Sequence, residues 1–329
     1  MSRRLRVTVA GAGVLGLASA LALLERDIDV LLVDPAPAGP NASSVAAGLL
    51  APVGEAVFDT DAAAHHRLMV DALRLWPAFA DGLGVELSDE GLIVPADLGA
   101  ALAGLGIASE ARATGLFVQA DPRVVDPPLA LRALRAAIEA GGGRVQSRAV
   151  TAADWRAADI VVMATGPGSL DGALPPELRC LTPVKGQIAV LPHGPVSGPT
   201  VRWSGGYLAP QPGGARVGAT MEVGRRDTEV DPATIARLVA AAARHAPPLD
   251  GLGLDVRGAF GQAGVRMQTP DALPLVGPSA EARTLLASGA RRNGWLFAPL
   301  VGRMIAAYCK DEDPGPWAAA LHPARFDQA

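Results

Sequence analysis

The chain has 329 residues, half of them apolar and 19% charged, which excludes a disordered chain and suits one large α/β domain or two lobes. A net charge of −4, with no basic cluster beyond Ser2–Arg6, argues against a polyanion, so no nucleic acid is expected. Cys180 and Cys309 lack the spacing of a metal site or redox pair, so no metal is expected and both thiols read as reduced, in a cytoplasmic protein.

Val7–Ala10 reads as a short buried strand, and Gly11, Gly13 and Gly16 as a glycine turn. Leu17–Glu25 follows as a helix and Val30–Val33 as a second strand, closed by Asp34. Strand, turn, helix, strand and acid in this order are the layout of a dinucleotide-binding unit. Gly11 permits the tight turn, Gly13 admits a pyrophosphate to the backbone, and Gly16 lets the helix lie close to the strand. The helix start offers unpaired N–H groups and the positive end of its dipole to phosphate. Asp34 is placed to accept hydrogen bonds from ribose hydroxyls. The run from Ser2 to Leu24 also imitates a secretory signal, and Leu5–Leu24 is nearly long enough for a membrane span. The glycine spacing and the second strand decide against both, so no membrane association is expected. The fingerprint by itself leaves NAD and FAD open.

After the Pro35–Pro40 loop, Asn41–Pro52 is dense in small residues, which suits either a tight packing surface or backbone lying against a flat ring. Ala62–Leu83 has helical periodicity, with His65 and His66 near its start read as solvated or capping residues. Val85–Leu87 and Gly91–Pro95 read as strands of a second lobe, Ala96–Ala113 as a helix, and Phe117–Val125 as extended chain. Asp126-Pro127-Pro128 opens a helix over Leu129–Ala140, stopped by Gly141–Gly143, and Arg144–Val150 is a strand. Asp159–Gly166 reads as a central parallel strand running into a glycine turn. Cys180–Val256 is β-rich, interrupted by a helix over Asp231–His245, and Gly258–Arg266 leads back toward the first lobe. Thr284–Ser288 is a strand, Gly289–Gly294 a turn and Trp295–Cys309 an amphipathic helix. The expected fold class is therefore α/β. A Rossmann-like lobe with a parallel sheet (1–84, 122–168 and 262–329) is interleaved with a mixed or antiparallel β-sheet substrate lobe (85–121 and 169–261).

Beyond the glycine turn and Asp34, a series of segments carries a family resemblance. They are Ser43-Ser44-Val45-Ala46-Ala47-Gly48-Leu49-Leu50, Pro183-Val184-Lys185-Gly186-Gln187, Tyr207-Leu208-Ala209-Pro210 and Val217-Gly218-Ala219-Thr220-Met221. Gly264-Val265-Arg266, Asp271–Gly277 and Gly289-Ala290-Arg291-Arg292-Asn293-Gly294-Trp295 follow. In this order, over about Leu5–Phe326, the chain resembles the FAD-dependent D-amino-acid oxidase superfamily, and most of all its bacterial glycine oxidase branch, associated with making the thiazole of thiamine. The resemblance implies a D-amino-acid oxidase-like fold and an FAD held noncovalently, since neither cysteine lies in a segment matching covalent flavin attachment. It implies cofactor contacts at Gly11, Gly13, Val14, Leu15, Gly16, Asp34, Pro35, Ser43, Ser44, Ala47, Gly48, Leu49 and Val150, and again at Ala290, Arg291, Asn293, Gly294, Trp295 and Leu296. Arg266, Arg292 and Tyr207 fall in its catalytic carboxylate site. The chain departs from the family at Asp27, Asp34, Met267 and Ala290, where Gly, Glu, Pro and His respectively are common, and Ala96–Phe117 is short.

A planar guanidinium grips a carboxylate through two parallel hydrogen bonds and so fixes the direction of the Cα–H bond. Arg266 and Arg292 are candidates because they sit beside glycine turns; an arginine alone is more often a surface or ion-paired residue. Tyr207 reads equally as a strand aromatic, Met221 as pocket wall or core, and Lys185 as structural. No Ser-His-Asp, Cys-His or metal constellation emerges. The resemblance implies loss of the α-hydrogen as hydride to flavin N5, with the start of the Trp295–Cys309 helix facing the flavin edge that gains charge. The expected partners are a small amine-bearing carboxylate and O2, giving H2O2, and a homo-oligomer is left open. The alternatives are a D-amino-acid dehydrogenase, an oxidase of N-carboxymethyl amines, and a non-catalytic flavin-binding subunit. An NAD-dependent dehydrogenase would leave the Gly289–Trp295 turn unexplained.

Overall fold

Arg6–Ala10 is buried from Val7 onward, as a parallel strand covered on both faces must be. In the computed structural model, which describes residues 3–59, 63–168, 175–194, 197–246 and 254–326, it pairs in parallel with Asp29–Asp34 and with Ile160–Met163. These strands form the middle of a six-stranded sheet in the order Leu275–Pro278, Thr284–Ser288, Ile160–Met163, Arg6–Ala10, Asp29–Asp34, Arg144–Ser147. Only the edge strand Leu275–Pro278 runs antiparallel to its neighbour.

The helix Val14–Leu24 packs on this sheet and against the helix Gly294–Cys309. Their contact is close because Gly302 has no side chain: a Cβ there would lie 2.6 Å from the Ala18 carbonyl oxygen. Trp76 seals the end of the same core, its indole N–H donating to the carbonyls of Trp295 and Leu296 at 3.2 and 3.1 Å.

The second sheet has nine strands and is mixed. Thr182–Pro192 pairs antiparallel with Gly214–Gly218 on one side and with Phe260–Gln268 on the other. The sheet continues through Gly206–Gln211, Thr200–Trp203, Leu92–Val94, Gly115–Val118 and Glu110–Arg112. Leu92–Val94 and Thr200–Trp203 are its parallel pair. Pro232–His245 covers one face, capped by the Asp231 carboxylate, which accepts from Ala233 and Thr234 N–H. The molecule is thus a mixed α/β fold with one largely parallel and one largely antiparallel sheet.

Three expectations change. Phe260–Gln268 pairs along its full length with Thr182–Pro192, from Thr182↔Gln268 to Val190↔Phe260, so the second sheet runs past the expected boundary at 262. The single helix over Ala62–Leu83 is two, His66–Leu73 and Trp76–Leu83, because Pro77 suits a first helical turn and not a helix interior; Ala62 lies outside the described residues. The helix over Ala96–Ala113 ends at Gly104, where Gly106 takes a positive φ of 71°, and Glu110–Arg112 is a strand. Among the described residues no helix is long and apolar enough to cross a membrane, and no group of side chains could hold a metal ion.

Candidate active site

The glycine turn is built as its spacing requires. Gly11 has φ 110°, and a Cβ on it would meet the Ala164 carbonyl oxygen at 2.3 Å. A Cβ on Gly16 would lie 1.9 Å from the Gly11 carbonyl oxygen, so the helix can approach the strand only with glycine there. Gly13 is the N-cap of Val14–Leu24, with no side-chain cap and no acid in the first turn. Its Cβ position is open, with Ser43 Oγ 3.5 Å away as the nearest atom. An uncapped helix start beside an open glycine is a cradle for an anion. Asp34 closes the unit: its carboxylate accepts from the Ala12 and Ala36 N–H groups at 2.8 and 2.7 Å. These residues fit the phosphates and ribose of a dinucleotide such as FAD.

Ser43 links this end to the far turn. The Val14 N–H donates to Ser43 Oγ, and the Trp295 indole N–H donates to the Ser43 carbonyl, both at 3.0 Å. The helix Gly294–Cys309 begins at Asn293, again with no side-chain cap and no acid in its first turn. Between the two helix starts opens a cavity of about 410 Å³. Val14, Ser43, Ala47, Gly48, Leu49, Arg291, Asn293, Gly294 and Trp295 line it, as do Tyr207, Met221, Arg266 and Arg292. Gly11, Gly13, Leu15, Gly16, Ser44, Ala290 and Leu296 lie outside its lining, as do Asp34, Pro35 and Val150. Ser44 serves a helix cap instead, its hydroxyl bonded to the Asn41 backbone. Lys185 is buried and paired with Asp227.

Arg266 stands on Phe260–Gln268, and its Nη2 donates to the Thr220 carbonyl at 2.8 Å. Among the described residues it forms no ion pair with a carboxylate, and burial pushes its pKa down from the ordinary arginine value. The room for its guanidinium comes from Gly186, directly across the ladder from Gly264. Tyr207 is packed the same way, with Gly218 opposite it. Burial raises the Tyr207 pKa, so its hydroxyl keeps its proton at neutral pH and remains a donor.

Arg292 differs. Its Nε pairs with Glu55 and its Nη2 with Asp59 at 3.1 Å, while Arg291 Nη1 reaches the same Asp59 oxygen at 2.8 Å. Glu55 is only 6% exposed and also accepts from Nη1 and Nη2 of Arg202, both at 3.1 Å. Burial alone would raise the Glu55 pKa; Arg202 and Arg292 overcome it and hold the carboxyl below its usual range. Glu55 rides on the helix Pro52–Phe58, whose start is held by Asp121: its carboxylate accepts from Val53 and Gly54 N–H at 2.9 and 2.5 Å. Burial raises Asp121 to about 6. A Cβ on Gly54 would meet Arg202 Nη1 at 2.6 Å, so that glycine makes room for the network. Glu55, Asp59, Asp121 and Arg202 are site residues that the sequence reading missed. For Glu55 and Asp59 the one signal is the Pro-initiated helix Pro52–Phe58, which carries the first and ends on the second.

The model of the family described as FAD dependent oxidoreductase matches residues 6–308. The chain belongs to this family. Glycine oxidase from Geobacillus kaustophilus is 29% identical over 93% of this chain and 93% of its own length. D-amino-acid oxidase from Streptomyces coelicolor is 33% identical, over 74% of this chain and 79% of its own. The crystal structure of the Geobacillus kaustophilus glycine oxidase superposes with a TM-score of 0.80 at 25% identity, covering 99% of this chain and 100% of that one. As an FAD-dependent oxidoreductase, this chain has a cofactor that suits both the glycine turn and the flat small-residue wall at Ala46–Leu49.

Proposed function

We propose that the protein oxidises glycine or another small amine bearing one carboxylate, reducing O2 to H2O2 and giving an imine that water opens, for a primary amine, to a 2-oxo acid and ammonia and, for an N-methyl amine, to a 2-oxo acid and methylamine. The observation that carries this reading is Arg266, a half-buried guanidinium with no carboxylate partner among the described residues, on the wall of a cavity entered by two helix starts. The Gly11–Gly16 turn, Asp34 and the Asn293–Trp295 turn would hold the FAD noncovalently, and it would supply the two-electron acceptor for the α-hydrogen.

Arg266 binds the carboxylate through two parallel bonds and so orients the Cα–H. Tyr207 supplies a further hydrogen-bond donor at the same wall. The net positive wall favours the neutral form of the amine, whose lone pair assists loss of the α-hydrogen without a dedicated base. Trp203 and Ile188 give the cavity an apolar wall.

Oxygen uptake against glycine, sarcosine, D-alanine and D-proline tests the activity. Flavin reduction in Arg266→Ala tests the assignment: the concentration of amine needed for half-saturation should rise roughly tenfold to a hundredfold, the worth of a charge-assisted bidentate contact. Unchanged saturation removes Arg266 from the carboxylate site.

A further inference from the structure

Four guanidiniums, of Arg202, Arg266, Arg291 and Arg292, stand at the substrate end of the cavity, a concentration suited to several anionic groups. Three of them are already answered. Glu55 takes Arg202 and Arg292, and Asp59 takes Arg291 and Arg292. Asp121 stands behind Gly54, next to the Arg202 guanidinium. With these three carboxylates ionised, one positive charge is left among the described residues, and it lies at Arg266 on the strand Phe260–Gln268.

We infer that Glu55 sets the substrate class, by cancelling the charge of Arg202 and Arg292 so that the cavity accepts amines with one carboxylate and rejects N-carboxymethyl amines with two. This rests on reading the cavity as an amine-carboxylate site. A second substrate carboxylate could take Arg202 only by displacing Glu55, which would leave that acid buried with one guanidinium fewer. Glu55 has no part in the proposed reaction, yet it is the most buried acid on the cavity wall and bridges a strand of the second sheet to the turn after Ser288. Specificity by an occupied counter-charge is discrimination against the wrong ligand, not attraction to the right one.

The test compares two non-reacting anions, acetate and malonate, titrated into the FAD-loaded protein by the change in flavin absorbance. Sarcosine and iminodiacetate, its N-carboxymethyl counterpart, are then compared as reductants. The wild type should bind acetate more tightly than malonate and be reduced by sarcosine in preference to iminodiacetate. Glu55→Gln, which keeps the shape and removes the charge, should shift both ratios toward the dicarboxylate by about tenfold or more. Asp59→Asn, which unmasks Arg291 and Arg292 at the more open end, should shift them the same way by a smaller factor and carries the test if Glu55→Gln does not fold. A wild type that prefers malonate, or variants whose ratios stay within twofold of it, overturns the inference. A protein that takes up FAD but is reduced by no amine overturns the functional reading instead, and the anion ratio still decides the role of Glu55 because it needs no turnover.

Discussion

Gly186 and Arg266 face each other obliquely across one antiparallel ladder, and a Cβ on Gly186 would lie 2.1 Å from Arg266 Nη2. The glycine is therefore the seat of the guanidinium. Gly186→Ala should push Arg266 off its bond to Thr220 and raise the amine concentration for half-maximal flavin reduction by about tenfold, the worth of a misplaced charge-assisted bond. FAD content should be unchanged. Equal loss of FAD and of amine binding would mean that the whole ladder has moved.

The glycine turn makes the complementary prediction. Gly16→Ala must force the helix Val14–Leu24 away from the Gly11 carbonyl, an overpacking worth about 1–3 kcal/mol of stability. Because the same helix start is the proposed phosphate cradle, the purified variant should be largely colourless. Retention of flavin absorbance at the wild-type ratio to protein would show that the cradle lies elsewhere.

Asp121 makes stability depend on pH with an unusual sign. Its folded carboxyl titrates at about 6, above the ordinary 3.8, so the folded chain holds a proton that the unfolded chain has lost between those values. Its contribution is fully present below about pH 4 and is lost as pH rises through 6, by at most ~3 kcal/mol. Asp121→Asn loses one acceptor for the Val53 and Gly54 N–H groups at every pH, a constant offset. Denaturant unfolding at pH 4.5 and 7.5 should therefore show wild type losing stability relative to the variant as pH rises. A difference flat with pH refutes the assignment.

Asp154 should behave in the opposite way. Arg148 grips it with two bonds of 2.7 Å and Thr151 caps through it, which lowers its carboxyl to about 2. That stabilisation is present above about pH 4 and is lost as pH falls through 2. Asp154→Asn should cost about 1 kcal/mol at pH 7, the worth of a helix cap, and less than half of that at pH 2.5. Urea midpoints at the two pH values check it.

What the sequence disclosed was what short-range rules encode. The glycine turn, Asp34, the Asp126 and Asp231 caps and the strand Thr284–Ser288 all follow from neighbours in the chain. Helix ends were harder: Pro77 reads as a break only once it is known that a new helix starts at Trp76. Arg266 was legible because its motif is local, whereas its lack of a carboxylate partner among the described residues was not. Glu55 and Arg202 are 147 residues apart, and nothing near either one announces the other. Arg292 stood in the sequence beside Arg266 as a candidate for the carboxylate; the fold gives it two acids, and so a different electrostatic role.

The ladder of Phe260–Gln268 on Thr182–Pro192 also orders events during synthesis. A nascent chain that has reached residue 259 holds the glycine turn and Asp34 but neither the guanidinium-bearing strand nor the Asn293–Trp295 turn. Its central sheet still lacks both strands on one flank, Leu275–Pro278 and Thr284–Ser288. On the proposed site, flavin capture should wait for residues 260–295 to leave the ribosome, and a truncation at 259 should accumulate as apoprotein prone to clumping through its open sheet edge.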